Sequence, residues 1–333
     1  MKKYLAVFLV LIMIFSCFVC LSACKSDNKS NVIRLNETTH SVFYAPLYAA
    51  INLGYFDEYG LEIELTNGGG SDKSMTAIIS GNAEIALLGP ETSVYVKAQG
   101  SSNAAKIFAQ LTQKDGSFLI GRTKEADFKW SNLNGKEIIG GRKGGMPAMC
   151  LEYALSQNGL TDGKNVDINY DVQFNLITAA FESGVGDYCT MFEPSASQYE
   201  SEGKGYIVSS VGAEVGNIAY TCFMATEKYI KENRNTVKNF MAAIIKGIDY
   251  CLSHSSEDIA EAIAPHFATT DKQLIVKAIE SYVKIDAWAK TPYMTEASFD
   301  RLQNVLIRAG TVKEKVAYND VVDNSIIEEI LKK

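Results

Sequence analysis

No run of basic side chains occurs anywhere in the 333 residues, and acids outnumber bases, 39 Asp and Glu against 32 Lys and Arg, for a formal net charge of −7. Nucleic acid is therefore excluded as a partner, because that affinity depends on cations clustered over phosphates. Proline is scarce at 6 residues and glycine ordinary at 25, which excludes collagen-like and low-complexity disordered chains. Of the seven cysteines, the four beyond the N-terminal region, Cys150, Cys189, Cys222 and Cys251, show no C-x-x-C spacing. A redox pair or thiolate metal site is not indicated, and these four read as buried small hydrophobes. What is present is a 47% hydrophobic chain of globular composition.

The N-terminus carries one long apolar run. Met1-Lys2-Lys3 precedes residues 4–21, broken only by Ser16, which is the basic and apolar pattern of a secretory signal. Leu21-Ser22-Ala23-Cys24 resembles the bacterial lipobox, so residues 1–23 are expected to be removed and Cys24 to carry the lipid. The competing reading is an uncleaved anchor, since the run is about as long as the roughly 20 residues that span a bilayer. Residues 24–31 are small, polar and unpatterned, as a flexible tether is. Removing 1–23 leaves 310 residues and takes two lysines and no acid, moving the net charge to −9. That length suggests two lobes at about 100–200 residues each.

From residue 32 strand-like and helix-like segments alternate. Residues 32–35 read as a strand, Pro46 sits in a helix's first turn, and Leu61, Ile63 and Leu65 alternate with Glu62 and Glu64. Residues 85–88 and 107–111 give further strands, with helices over 92–99 and up to Ser80-Gly81. The same grammar restarts after residue 136, with strands at 137–141, 166–172, 188–192 and 206–211 and helices at 147–158 and 176–183. After residue 226 the chain reads as helical, with Phe240, Ile244, Ile245 and Ile248 on one face. Alternation of this kind predicts an α/β protein with mostly parallel sheets covered by helices. Two lobes are expected, 32–120 with 219–333 and 121–218, joined by two crossings, with a ligand cleft at the carboxyl ends of the strands.

The residues His40-Ser41-Val42-Phe43-Tyr44-Ala45-Pro46-Leu47-Tyr48-Ala49-Ala50, then Gly54-Tyr55-Phe56 and Tyr59-Gly60-Leu61, resemble the opening signature of the solute-binding proteins for nitrate, sulfonate, taurine and thiamine-pyrimidine precursors. Ser80-Gly81-Asn82-Ala83-Glu84-Ile85 and Phe192-Glu193-Pro194 continue the likeness along the mature chain. The resemblance implies the type II periplasmic-binding-protein fold, no enzymatic activity and no cofactor. It also implies a monomer held to the extracellular face of the membrane that captures a small solute and delivers it to the permease and ATPase of an ABC importer. Fungal pyrimidine-synthesising relatives on this fold are enzymes with a C-C-C-F-C motif, which this sequence lacks.

Candidate contacts follow from the loops at strand ends. Gly144-Gly145-Met146 precedes a helix opened by Pro147, an arrangement that serves an anion or simply a tight turn. Ser71 and Asp72 stand where an N-cap belongs. Glu91 and Glu193 follow apolar strands on opposite lobes with no adjacent Arg or Lys, which disfavours an oxyanion and favours a solute with N–H donors, unless each only serves a helix end. Tyr44 and Tyr188 are the expected stacking residues, and His40, Thr92 and Gln113 complete the set. A thiamine pyrimidine precursor is the first expectation and a sulfonate, taurine or nitrate the alternative.

Overall fold

A computed structural model describes residues 31–101 and 105–332. The expected signal sequence, Cys24 and the expected tether lie outside the described residues, except that Asn31 already opens the first strand. Among the described residues no helix is long and apolar enough to cross a membrane.

In chain order the elements are β1 (Asn31–Glu37), α1 (Ala45–Asn52), β2 (Leu61–Asn67), α2 (Ser71–Ile79), β3 (Ile85–Leu88), α3 (Glu91–Ala98) and β4 (Ala105–Thr112). There follow β5 (Ser117–Gly121), β6 (Glu137–Ile139), α4 (Met146–Gln157), β7 (Asp167–Asn169), α5 (Ile177–Glu182), β8 (Tyr188–Phe192), α6 (Ser195–Ser201), β9 (Tyr206–Ser210), α7 (Val211–Val215) and β10 (Thr221–Thr226). Helices then take over: α8 (Glu227–Glu232), α9 (Arg234–Ser253), α10 (Ser256–Ile263), α11 (Lys272–Lys284), α12 (Glu296–Arg308), α13 (Tyr318–Val321) and α14 (Ser325–Leu331).

Two five-stranded sheets result, ordered β2-β1-β3-β10-β4 and β7-β6-β8-β5-β9. β1 runs parallel to β3, and β6 runs parallel to both β7 and β8. β10 is antiparallel to β3 and β4, and β5 is antiparallel to β8 and β9. Each antiparallel strand is the first one the chain forms after passing from one sheet to the other. The passages are 113–116 and 216–220, and they bond to each other through Ile218 N–H to Gln113 O at 2.8 Å. The boundary expected after residue 120 is thus displaced, because Ser117–Gly121 is a strand of the second sheet. Its position beside the crossing is what made it read as a connection.

Local chemistry explains the rest. β3 and β10 are buried along almost their whole length, as central strands covered on both faces must be. β2 at the sheet edge keeps Glu62 and Glu64 exposed and turns Leu61 inward. In α9, Phe240, Ile244 and Ile248 are buried at helical spacing, while Ile245 is only half-buried. The strand expected over 166–172 is trimmed to Asp167–Asn169, and Val211 starts a helix rather than ending a strand. All four cysteines are free and buried. The C-terminal third lies on the first sheet, where Ala289 N–H donates to Leu111 O at 2.9 Å and Trp288 Nε1 to Phe43 O at 3.0 Å.

Candidate functional site

A cavity sits where the carboxyl ends of the parallel strands of the two sheets face one another. β1 hands on to Thr38 and Thr39, β2 to Gly70 and Ser71, and β3 to Gly89 and Glu91. From the other sheet come Gly140, Gly141 and Arg142 after β6, the opening of α4 from Gly145 to Ala148, Phe174, and Phe192 at the end of β8; Tyr44, Tyr220 and Thr221 complete the lining. Its volume is about 70 Å³, room for about five to seven waters at roughly 10–15 Å³ each. So small a space excludes a peptide.

The walls are mainly apolar and aromatic. Phe174 and Phe192 meet edge-on with centroids 5.4 Å apart, and Tyr44 and Tyr220 are both buried. Against that background stands one carboxyl. Glu91 opens α3, is 1% exposed, and its Oε2 has no hydrogen-bond partner. Burial pushes its pKa up to about 8, opposed by its own backbone N–H and by the Arg142 charge and assisted by the Asp72 charge. Gly89 makes this posture possible, since a Cβ there would lie 2.0 Å from Glu91 Oε2. An unpartnered buried carboxyl is costly unless something binds it, so the arrangement suits a solute that brings N–H donors. Ser71 Oγ accepts from Gly89 N–H at 3.1 Å and holds the turn beneath it.

Arg142, which motif reasoning passed over although its loop was singled out, reaches Asp72 across the mouth at 3.8 Å. Tyr95 OH donates to Gly144 O at 3.0 Å, and Ser41 Oγ donates to Glu193 O at 2.8 Å, so the two sheets are bridged on either side of the cavity.

Of the expected contacts, Tyr44, Ser71, Glu91, Gly145 and Met146 line the cavity. The others lie outside that lining. Glu193 is turned away: its carboxylate accepts Ser197 N–H at 2.9 Å and Ser197 Oγ at 2.7 Å and serves the first turn of α6. Tyr188 is at the opening of β8, the wrong end of the strand, and donates to Glu125 at 2.7 Å. Asp72 belongs to the rim with Arg142. Thr92 Oγ1 donates to Gly89 O at 2.7 Å, and Gln113 Nε2 donates to Asp286 O at 3.1 Å in the first crossing. Gly144, at φ +75°, shapes the turn before α4 and offers only its carbonyl to Tyr95. His40 lies behind the wall, bonded to Glu37. Two cavity aromatics, Phe192 and Tyr220, sit at the carboxyl end of β8 and beside β10, positions that strand direction alone identifies. Among the described residues no group of three or more His, Cys, Asp or Glu could hold a metal ion.

The architecture is that of the periplasmic binding proteins. The alkanesulfonate-binding protein SsuA from Xanthomonas axonopodis pv. citri, solved bound to MOPS, superposes with a TM-score of 0.71 at 14% identity, covering 88% of this chain and 98% of that one. In sequence, the chain is 41% identical over 310 residues to YtlA of Bacillus subtilis (strain 168), named as a binding protein, with 93% of each chain covered. It is also 24% identical over 234 residues to the 4-amino-5-hydroxymethyl-2-methylpyrimidine phosphate synthase of Candida albicans (strain WO-1), with 66% of each covered. A family model described as NMT1/THI5 like matches residues 42–258, a span that begins at the turn carrying Tyr44 and takes in both crossings and the whole second sheet. With both lines of likeness running through the residues that build the cavity, this chain belongs to the NMT1/THI5-like family.

Proposed function

We propose that this protein is the lipid-anchored, extracellular solute-binding component of an ABC importer and that it captures a small, flat, nitrogen-bearing ring of the aminopyrimidine class. The observation that carries the ligand class is Glu91, a buried carboxyl whose Oε2 has no hydrogen-bond partner, at a small cavity with aromatic walls. An exocyclic amine would donate to that carboxyl, and a charge-assisted bond of this kind contributes about 1.5–3 kcal/mol. Tyr44, Phe174, Phe192 and Tyr220 supply faces and edges for the ring. The likeness to a pyrimidine phosphate synthase supports the same chemistry. Binding rather than catalysis is supported by the likeness to YtlA, a protein named for binding.

A sulfonate or nitrate is the second reading, favoured by Arg142 in the lining and by the fold shared with SsuA. Arg142, however, is paired with Asp72, whereas Oε2 of Glu91 has no hydrogen-bond partner. Mass spectrometry of the solute released from protein purified under native conditions tests the proposal. A nitrogen heterocycle is the expected species, and a sulfonate in its place would make the second reading the better one.

Anchoring rests on Leu21-Ser22-Ala23-Cys24. Replacement of Cys24 by Ala is expected to abolish labelling by a radioactive or clickable fatty acid and to leave the unprocessed precursor. Unchanged lipid labelling in that variant would sink the anchoring proposal.

A further inference from the structure

His40 misses the cavity because a set of hydrogen bonds ties it behind the wall. Glu37 ends β1 at 1% exposure, and Tyr48 OH donates to its Oε2 at 2.6 Å. His40 Nδ1 stands 2.7 Å from Glu37 Oε1, and Nε2 stands 2.9 Å from the backbone carbonyl of His266. A carbonyl oxygen only accepts, so Nε2 carries a hydrogen. The single hydrogen of Tyr48 is spent on Glu37, so its oxygen, 3.2 Å from Nδ1, is left as an acceptor and takes Ser41 N–H at 3.3 Å. Nδ1 thus also faces acceptors alone. An imidazole with hydrogens on both nitrogens is the imidazolium. If the shared hydrogen is assigned to Glu37 instead, the pair holds the same extra proton.

The surroundings agree with a cation at this point. Phe267 stacks on the His40 ring at 4.9 Å, a favourable place for positive charge. His266, the other titratable ring here, stacks on Tyr48 at 4.5 Å; burial, and then the neighbouring His40 charge, pull its pKa down to about 4 and keep it neutral. Glu37, Tyr48 and His266 are the titratable groups that face His40 from β1, α1 and the 264–267 turn. The bond to Glu37 outweighs burial and raises the His40 pKa above the ordinary histidine value.

The segment pinned in this way is the cavity wall. Residues 38–44 supply Thr38, Thr39 and Tyr44 to the lining, and Ser41 between them reaches Glu193 O in the opposite body. We propose that His40 is a positioning residue that fixes this wall only while the His40–Glu37 pair holds its extra proton, making the order of the binding site proton-dependent. A neutral His40 would have one nitrogen lone pair directed at an acceptor, and one of its two ties would fail. Because the folded-state pKa is raised, the stabilisation is complete below about 6.5 and is lost as pH rises through the folded value. The inference borrows from the functional reading only that this cavity is the binding site, and its test needs no solute.

The chain has three histidines, His40, His254 and His266, so ring proton resonances can be assigned by single substitution of the other two and followed against pH. His40 is expected to titrate above free histidine and to fall back in Glu37→Gln. Amide exchange of residues 38–44, corrected for its intrinsic pH dependence, is expected to accelerate as pH rises from about 6.5 through the folded His40 value, by up to about tenfold for each unit by which the pair's proton affinity exceeds that of free histidine. In His40→Phe, which keeps a ring on Phe267, that acceleration is expected to vanish while the contributions of Glu91 and Asp115 remain. Titration of His40 at or below the free value overturns the proposal. So does exchange of 38–44 with the same pH dependence in both proteins, even if His40 titrates high.

Discussion

Truncation of Glu91 to Ala should weaken the binding of an aminopyrimidine by about tenfold to a hundredfold, because a charge-assisted hydrogen bond at about 1.5–3 kcal/mol loses its acceptor. Glu193→Gln should leave that affinity unchanged, since its carboxylate is engaged by Ser197 at the start of α6 and not by the cavity. Binding should also be linked to protons. With its pKa near 8, the empty Glu91 carboxyl is protonated at neutral pH, and a solute that recruits the carboxylate expels that proton. The calorimetric heat will then vary with the ionisation enthalpy of the buffer in wild type and not in Glu91→Gln. The sign for the empty protein follows as well. The folded state keeps a proton that the unfolded chain has released, so stability falls as pH rises from about 4.5 to about 8, and Glu91→Gln should be the more heat-stable protein above that range. Tight taurine binding that survives Glu91→Ala, with no heat from the pyrimidine, would transfer the ligand assignment to the sulfonates.

A larger effect on stability is expected from Gly212→Ala. The added Cβ would stand 2.0 Å from the carbonyl oxygen of Asp115 and 3.1 Å from its backbone nitrogen, so no side chain can move aside to make room. α7 and the first crossing must separate, and overpacking of this kind costs about 1–3 kcal/mol or more. In a chain of this size each kcal/mol lowers the melting temperature by roughly 2–4 °C. The crossing is also where Ser117 N–H holds Asp115 Oδ1 at 2.6 Å, a carboxyl whose pKa burial has pushed up to about 6. Separation should admit water there and return Asp115 toward an ordinary carboxylate. An unchanged melting temperature would show that the crossing yields more readily than its packing implies.

Much of this could be read from the sequence where the signal is periodic. The alternation over residues 32–112 gave every strand of that stretch, and the positions of the connecting loops followed from strand direction. Side-chain direction did not follow. Glu91 and Glu193 both leave an apolar strand and enter a helix, yet one faces the cavity and the other a helix turn. The distinguishing feature lies four residues on, where Glu193 finds Ser197 as a partner and Glu91 finds Tyr95. Tyr188 opens β8, at the end of the strand away from the cavity, and strand direction rather than residue type marks that difference. His40 was placed correctly in the chain and wrongly in space, since its partner His266 is brought near only by the return of the C-terminal third. Arg142 lies between the glycine pairs Gly140-Gly141 and Gly144-Gly145, and nothing in that local pattern marks its side chain as cavity-facing.

The order of strands also sets an order of events. Every strand of the second sheet comes from the continuous stretch 117–210, so that sheet can close as soon as the stretch is available. The first sheet cannot. β4 has β10 as its sole neighbour in the sheet order, and β3 meets β4 only through β10. Residues 105–112 therefore wait with their ladder groups unpaired until residues 221–226 arrive. A nascent chain can complete the later sheet while the earlier one still lacks its penultimate strand, so the part of the protein made first is the part that finishes last, and it stays open to pairing with the wrong edge throughout that interval.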